Sequence, residues 1–159
     1  RNETVLSITD ERMTRFNITL DEGVEFVVKC LDKMWGGELF VPKIPSYRIT
    51  DVARAIAPDA KHEIVGIRPG EKLNEEMITA TDSINTVDFD TYYVITPTFE
   101  YKVWNNEQFM NESNETPGKN CEEGFSYNSG DNDEFLSVDE IRELIIKYVP
   151  GGQKLNIRA

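Results

Sequence analysis

The sequence predicts a mixed α/β fold, a small domain of short helices and short strands. Three observations predict it. Two stretches carry apolar residues at helical spacing, each opening with a capping box: Thr19 with Glu22, and Ser137 with Glu140. Brief apolar runs bounded by Pro and Gly read as strands between them. The chain has 159 residues, 39% of them apolar, which is one domain's length and enough to bury a core.

In residues 8–18, ITDERMTRFNI, Phe16 and Ile18 alternate as in a short strand. Thr19 then caps the first helix. Leu20, Val24, Val27, Val28 and Leu31 recur at the spacing expected of its buried face, and Gly36-Gly37 stops it. A strand over 38–41 ends at Pro42, and residues 42–50, PKIPSYRIT, read as a double-proline loop. Thr50 is expected to cap a second helix carrying Val52, Ala53 and Ile56, ending before Pro58.

Residues 62–67, HEIVGI, read as a strand, and Pro69-Gly70 as a tight turn. A third helix is expected over 71–79, with Leu73, Met77 and Ile78 on one side. Residues 80–91 are polar, and 92–95, YYVI, form the last strand before Pro97. From 98 to 124 Asn, Glu and Gly dominate and periodicity is lost, as in a surface loop or an arm that orders on a partner. Phe125 to Ser129 interrupts the polar run. The last helix carries Val138, Ile141, Leu144, Ile145 and Tyr148 on one face and ends at Pro150-Gly151-Gly152.

The expected organisation is a core over 1–97, an acidic polar loop over 98–124, a C-terminal segment and helix of the same domain over 125–149, and a frayed tail over 150–159. There is no internal repeat. Strands this few and brief suit a small domain that leans on something else.

The net charge is −12, with one histidine, which argues against the basic face of a nucleic-acid binder or of a protein on an anionic membrane. No apolar run approaches the ~20 residues of a membrane span. The first residues lack the apolar block of a signal peptide, and a start at Arg1 suggests a fragment. Cys30 and Cys121 show no metal-ligand spacing and are expected to be free thiols in a reducing compartment. The N-x-S/T triplets at Asn2, Asn17, Asn111 and Asn114 are expected from chance in so Asn-rich a chain.

The stretch that carries chemistry is 67–76, IRPGEKLNEE. Its turn sets a guanidinium, Arg68, beside a carboxylate, Glu71. Such a pair suits a nucleotide diphosphate: Arg grips phosphate oxygens through its planar fork, and a carboxylate accepts both hydroxyls of a ribose. Glu71 would also sit where a helix N-terminus favours negative charge. The same residues equally suit an ordinary exposed turn bearing a cation and an anion. Arg12 and Arg15 could close on the same diphosphate from a second segment; the alternative is a surface ion pair with Asp10 or Glu11.

Lys43, Tyr47 and Arg48 sit where a loop could cover a base or ribose, or are loop decoration. His62 has no acid or nucleophile near it in sequence. Residues 131–140, DNDEFLSVDE, place Phe135 and Leu136 where a calcium loop needs an oxygen ligand and a glycine, so no metal site is expected there. Trp35 and Trp104 read as packing residues. There is no G-x-G-x-x-G, no P-loop, no Tyr-x-x-x-Lys, no G-x-S-x-G and no H-E-x-x-H. No catalytic residue is expected; what the chain offers is a binding surface.

ITDERMTRFNITLDEGVEFV, GGELFVPKIPS, IRPGEKLNEEMI and FSYNSGDNDEFLSVDEIREL occur in that order. Together they resemble the C-terminal half of the inverting UDP-N-acetylglucosamine 4,6-dehydratases, extended short-chain dehydrogenase/reductases of the polysaccharide biosynthesis protein family. The resemblance covers about residues 7–149. It implies a substrate-binding domain whose parent carries an N-terminal Rossmann domain, absent here, that binds NADP. The implied reaction oxidises the sugar at C4 by hydride transfer, removes water across C5 and C6, and returns the hydride at C6.

Carried over by position, Arg15 and Arg68 would hold the pyrophosphate and Glu71 the ribose hydroxyls, with Arg12 and Lys43 as further substrate contacts. Asn17 departs from the family, which often has an aromatic residue there. The resemblance also implies a cytoplasmic location, the Rossmann domain as partner, a homo-oligomeric parent, and no activity for the fragment alone. A nucleotide-sugar epimerase on the same scaffold, a non-catalytic binding module and an interaction domain working through loop 98–124 are the alternatives.

Overall fold

The computed structural model describes residues 5–98, 104–112 and 116–152. In chain order the elements are β1 (Val5–Ile8), β2 (Thr14–Phe16), α1 (Leu20–Lys33), β3 (Leu39–Pro42), β4 (Ser46–Arg48), α2 (Ile49–Ile56), β5 (Lys61–Ile64), β6 (Glu76–Ile78), a 3₁₀ turn (Asp82–Asn85), β7 (Thr86–Asp88), β8 (Tyr92–Ile95), α3 (Asn106–Glu112), β9 (Lys119–Asn120), β10 (Tyr127–Asn128) and α4 (Val138–Tyr148). The class is mixed α/β, as the sequence predicts.

The chain divides into two units, each assembled from separated stretches. The first comprises Arg1–Asn17, Pro45–Glu75 and Ser129–Ala159; the second comprises Ile18–Ile44 and Glu76–Asn128. In the first, β1 pairs in parallel with β5, β2 pairs antiparallel with β4, and α2 packs on α4. The capping box of α4 is present, with the Ser137 hydroxyl accepting from the Glu140 amide and the Glu140 carboxylate accepting from the Ser137 amide. Ile141 is the buried centre of its apolar face.

In the second unit an antiparallel sheet runs in the order β3-β8-β7-β9, and β10 pairs with β6. Its core gathers Val87, Phe89, Tyr92, Val94 and Phe109, with Phe26, Phe40, Trp104 and Met110 packed around them. Trp35 and Trp104 pack against each other at 5.6 Å between ring centres, tilted by 47°, the packing role expected of them.

Several expected elements are corrected. The α1 capping box forms as predicted, but Leu20, Val24, Val27, Val28 and Leu31 face outward, each more than half exposed. Phe26 points inward instead, with its ring edge-on to Tyr92 at 6.0 Å. The second helix starts before Thr50: Arg48 is the N-cap without a side-chain bond, and the Ile49 amide donates to the Met13 carbonyl of the neighbouring segment. The strand expected over 62–67 stops at Ile64, and Gly66 turns the chain at φ +89°.

No helix forms over 71–79; the segment runs as a loop into strand β6. So short a helix is marginal on its own, and tertiary partners take the carbonyls it needs, as described below. The polar stretch 98–124 holds α3 and β9, with Phe109 fully buried. Residues 99–103 and 113–115, the tail from 153 onward, and the triplet residues Asn2 and Asn114 lie outside the described residues.

Candidate functional site

Pro69 and Gly70 occupy the two central positions of a reverse turn. Gly70 has φ +83°, and the Glu71 amide donates to the Arg68 carbonyl at 3.0 Å. This is the type II arrangement, in which Pro presets the second position and the third demands a positive φ. A Cβ at Gly70 would meet no atom within 4 Å, so the backbone angle alone makes glycine necessary there. The Glu71 carboxylate folds back to accept the Arg68 amide at 3.2 Å. The Arg68 side chain is exposed and makes no hydrogen bond or ion pair to another described residue. Glu71 therefore sits at a turn, and the helix N-terminus expected beside it is absent.

Arg15 lies in β2 of the same unit, with its side chain 20% exposed. One terminal nitrogen donates to the carbonyls of Thr14 (2.6 Å) and Leu73 (3.1 Å), the other to the Lys72 carbonyl (3.1 Å) and the Met13 sulfur (3.2 Å). Its Nε faces the Glu75 carboxylate at 3.8 Å. Arg15 is thus bound to the segment that directly follows the turn. The Thr14 amide donates to the Leu73 carbonyl, and the Phe16 amide to Glu75 Oε2 at 2.8 Å. These bonds take the 72–73 carbonyls out of any helical ladder. Tyr47, opposite Arg15 in the β2–β4 register, has its phenol pKa raised by burial and by the Glu75 charge, with Arg15 opposing.

The first unit thus holds Arg12, Arg15, Arg68 and Glu71. Arg12 makes the two-toothed ion pair with Asp10, at 3.0 and 2.9 Å, which the sequence offers as its alternative. The Arg12 guanidinium pulls the Asp10 carboxyl down to about 2. Lys43 belongs to the second unit, where Nζ donates to Asp88 at 2.7 Å and lies 4.5 Å from the Tyr93 ring centre. Arg48 stacks its guanidinium on Phe135 at 4.2 Å.

The second unit also contains a cleft of about 620 Å³ lined by Ile84, Asn106, Glu107, Met110, Asn111, Asn120, Cys121 and Glu123. Its described lining residues include two carboxylates and no Lys or Arg, the wrong chemistry for a diphosphate. Burial, and secondarily the Asp88 charge, raise the Cys121 thiol to about 11, while Lys43 opposes. Both cysteines are free thiols. Among the described residues no His/Cys/Asp/Glu group is arranged to hold a metal, and no helix is long and apolar enough to cross a membrane.

Residues 1–97 match the family described as "Polysaccharide biosynthesis protein". The chain is 47% identical over 140 residues to a UDP-N-acetylglucosamine 4,6-dehydratase (inverting) of Campylobacter jejuni subsp. jejuni serotype O:2, covering 88% of this chain and 42% of that protein. It is 35% identical over 95 residues to a UDP-glucose 4-epimerase of Rickettsia conorii, covering 57% of this chain and 28% of that one. Among solved structures, Pen from Bacillus thuringiensis superposes with a TM-score of 0.68 at 24% identity, over 97% of this chain and 42% of its own, a likeness of fold. The chain thus spans about 42% of the length of the dehydratase it matches.

Proposed function

We infer, from the premise that this chain belongs to the polysaccharide biosynthesis protein family, that it is the nucleotide-sugar-binding portion of a UDP-N-acetylglucosamine 4,6-dehydratase. One observation carries the binding reading: a type II turn holds Glu71 beside an exposed Arg68 that has no partner among the described residues, in a chain of net charge −12. An unpaired guanidinium in such a chain is a ready phosphate ligand. The dehydratase likeness supports UDP-N-acetylglucosamine as the substrate of this reading, since it covers more of the chain than the epimerase likeness does.

In this reading Arg68 holds the pyrophosphate and Glu71 the ribose hydroxyls. Arg15 joins them by exchanging a carbonyl partner for a phosphate oxygen. Arg12 and Lys43 are further substrate contacts, which each would reach by leaving its present carboxylate partner. No glycine-rich loop or Tyr-x-x-x-Lys pair lies among these residues to fit NADP, so this chain's part is binding. Hydride transfer and dehydration belong to an N-terminal Rossmann domain of the longer, cytoplasmic, homo-oligomeric protein. The outward apolar stripe of α1 is the surface on which we seat that domain.

Titration with UDP-N-acetylglucosamine should move the amide NMR resonances of Arg15, Arg68 and Glu71. Shifts confined to residues 104–124 would point to the interaction-domain alternative instead. Dehydration by this chain alone would overturn the assignment of catalysis to another domain.

A further inference from the structure

Just past the Arg68–Glu71 turn in sequence, a chain of hydrogen bonds joins three distant parts of the first unit. The Glu75 amide donates to the Ser129 hydroxyl at 2.9 Å. Ser129 Oγ lies 2.7 Å from Thr14 Oγ1, which donates to Asn74 Oδ1 at 2.9 Å. Since the Thr14 proton goes to Asn74, Ser129 must donate to Thr14. All the bonds then run one way, from Glu75 N–H through Ser129 and Thr14 to Asn74, an arrangement in which each bond polarises the next. The Ser129 amide returns to the Glu75 carbonyl at 2.8 Å.

Ser129 is 0% exposed and Thr14 5%, so each hydroxyl left without a partner here would carry the full penalty of desolvation. Asn74 is held from the far side as well. A Cβ at Gly130 would lie 2.7 Å from Asn74 Cγ, so the amide occupies the space that a side chain at 130 would fill.

We propose that Thr14, Asn74 and Ser129 are positioning residues: their hydroxyl–amide relay anchors residues 74–75 to β2 and so sets where Arg68 and Glu71 stand. The proposal rests on the reading that this turn takes the diphosphate and ribose of a nucleotide sugar. The turn itself is exposed, with Gly66 on one side and Gly70 within it, both at positive φ and both with open space around a Cβ. It has little packing of its own, and the bonds at 72–75 are what orient it. Arg15 reinforces the anchor through the Lys72 and Leu73 carbonyls but is not part of the relay.

The test exploits a crossed pair of substitutions. Thr14→Val keeps the volume and removes the hydroxyl; Thr14→Ser keeps the hydroxyl and removes a methyl group. Two readouts are taken on the full chain: hydrogen exchange at the Arg68 and Glu71 amides, and affinity for UDP-N-acetylglucosamine. Thr14→Val should speed exchange at both amides and weaken binding about five- to tenfold, the size of one lost hydrogen bond. Thr14→Ser should behave as wild type. A purely structural role of the side chain reverses that order, and equal effects from both variants, or none from Thr14→Val, overturn the proposal.

Gly130→Ala, which displaces the Asn74 amide and leaves both hydroxyls in place, serves as the second variant and should show the same two losses. If wild type itself does not bind UDP-N-acetylglucosamine, the nucleotide-sugar reading fails. The exchange data alone then decide whether the relay holds the turn.

Discussion

The guanidinium of Arg15 and the carbonyl oxygen of Leu73, 58 positions apart in sequence, are joined by a 3.1 Å hydrogen bond. With the Lys72 and Thr14 carbonyls, it makes Arg15 a bracket between β2 and the segment following the turn. Arg15→Ala should therefore cost stability as well as ligand affinity, about 1.5–3 kcal/mol of unfolding free energy for charged hydrogen bonds. Arg15→Lys should recover only part of it, because one ammonium cannot span carbonyls that a planar fork reaches together. Urea denaturation of the two variants decides; full recovery by lysine would mean that charge alone matters at this position.

Arg68 should behave in the opposite way. Its side chain is exposed and bonded to no other described residue, so Arg68→Ala should leave stability within about 0.5 kcal/mol of wild type. In the longer protein it should weaken nucleotide binding by about 1.5–3 kcal/mol. Calorimetric titration with UDP tests this, and wild-type affinity in the variant would remove Arg68 from the site. The contrast between the two arginines separates a contact made to the ligand alone from one that also brackets the fold.

How much of this was legible in the sequence depended on how local each signal is. Both capping boxes and the Pro69-Gly70 turn depend on residues within three or four positions of one another, and all three form. Residues 71–79 carry a helical pattern but form no helix, because Lys72 and Leu73 answer to Thr14 and Arg15, partners that no local pattern contains. Strand β4 was hidden in the double-proline loop for the same reason, since its partner is β2. At the site, Arg68 and Glu71 stood out as residue types in a turn. The Thr14–Ser129 contact spans 115 positions between two unremarkable hydroxyls and left no spacing to read.

The stripe Leu20, Val24, Val27, Val28 and Leu31 shows a different failure. Its period is that of one helix face, but period alone does not say what covers the face. Because these residues face outward, Val24→Ser and Leu31→Ser should each change the stability of this chain by less than about 0.5 kcal/mol. Ile78→Ala, at a position 0% exposed, should cost about 2–5 kcal/mol. In the longer protein the two serine variants should become destabilising, on the proposal that an N-terminal domain covers this face. Equal behaviour in both contexts, by denaturant titration, would refute that seat for it.

The last prediction concerns Cys121, raised to about 11 first by burial and then by Asp88, against the opposing pull of Lys43. A raised thiol pKa means that the folded state holds its proton more tightly than the unfolded chain, whose thiol titrates near ~8.5. The resulting stabilisation is complete below ~8.5 and is lost as pH rises toward about 11. Cys121→Ser should therefore flatten part of the fall in stability over that window, measured as the difference from wild type so that other titrating groups cancel. Because the thiolate is the nucleophile, alkylation of Cys121 by iodoacetamide should be slow near neutral pH and rise about tenfold per pH unit. Asp88→Asn removes one of the charges that raise the thiol and releases Lys43 from its 2.7 Å ion pair. Both changes lower the pKa, so the variant should be alkylated faster at pH ~8. An unchanged or slower rate in Asp88→Asn would show that burial alone sets the thiol, and that the Lys43–Asp88 pair exerts no electrostatic control over it.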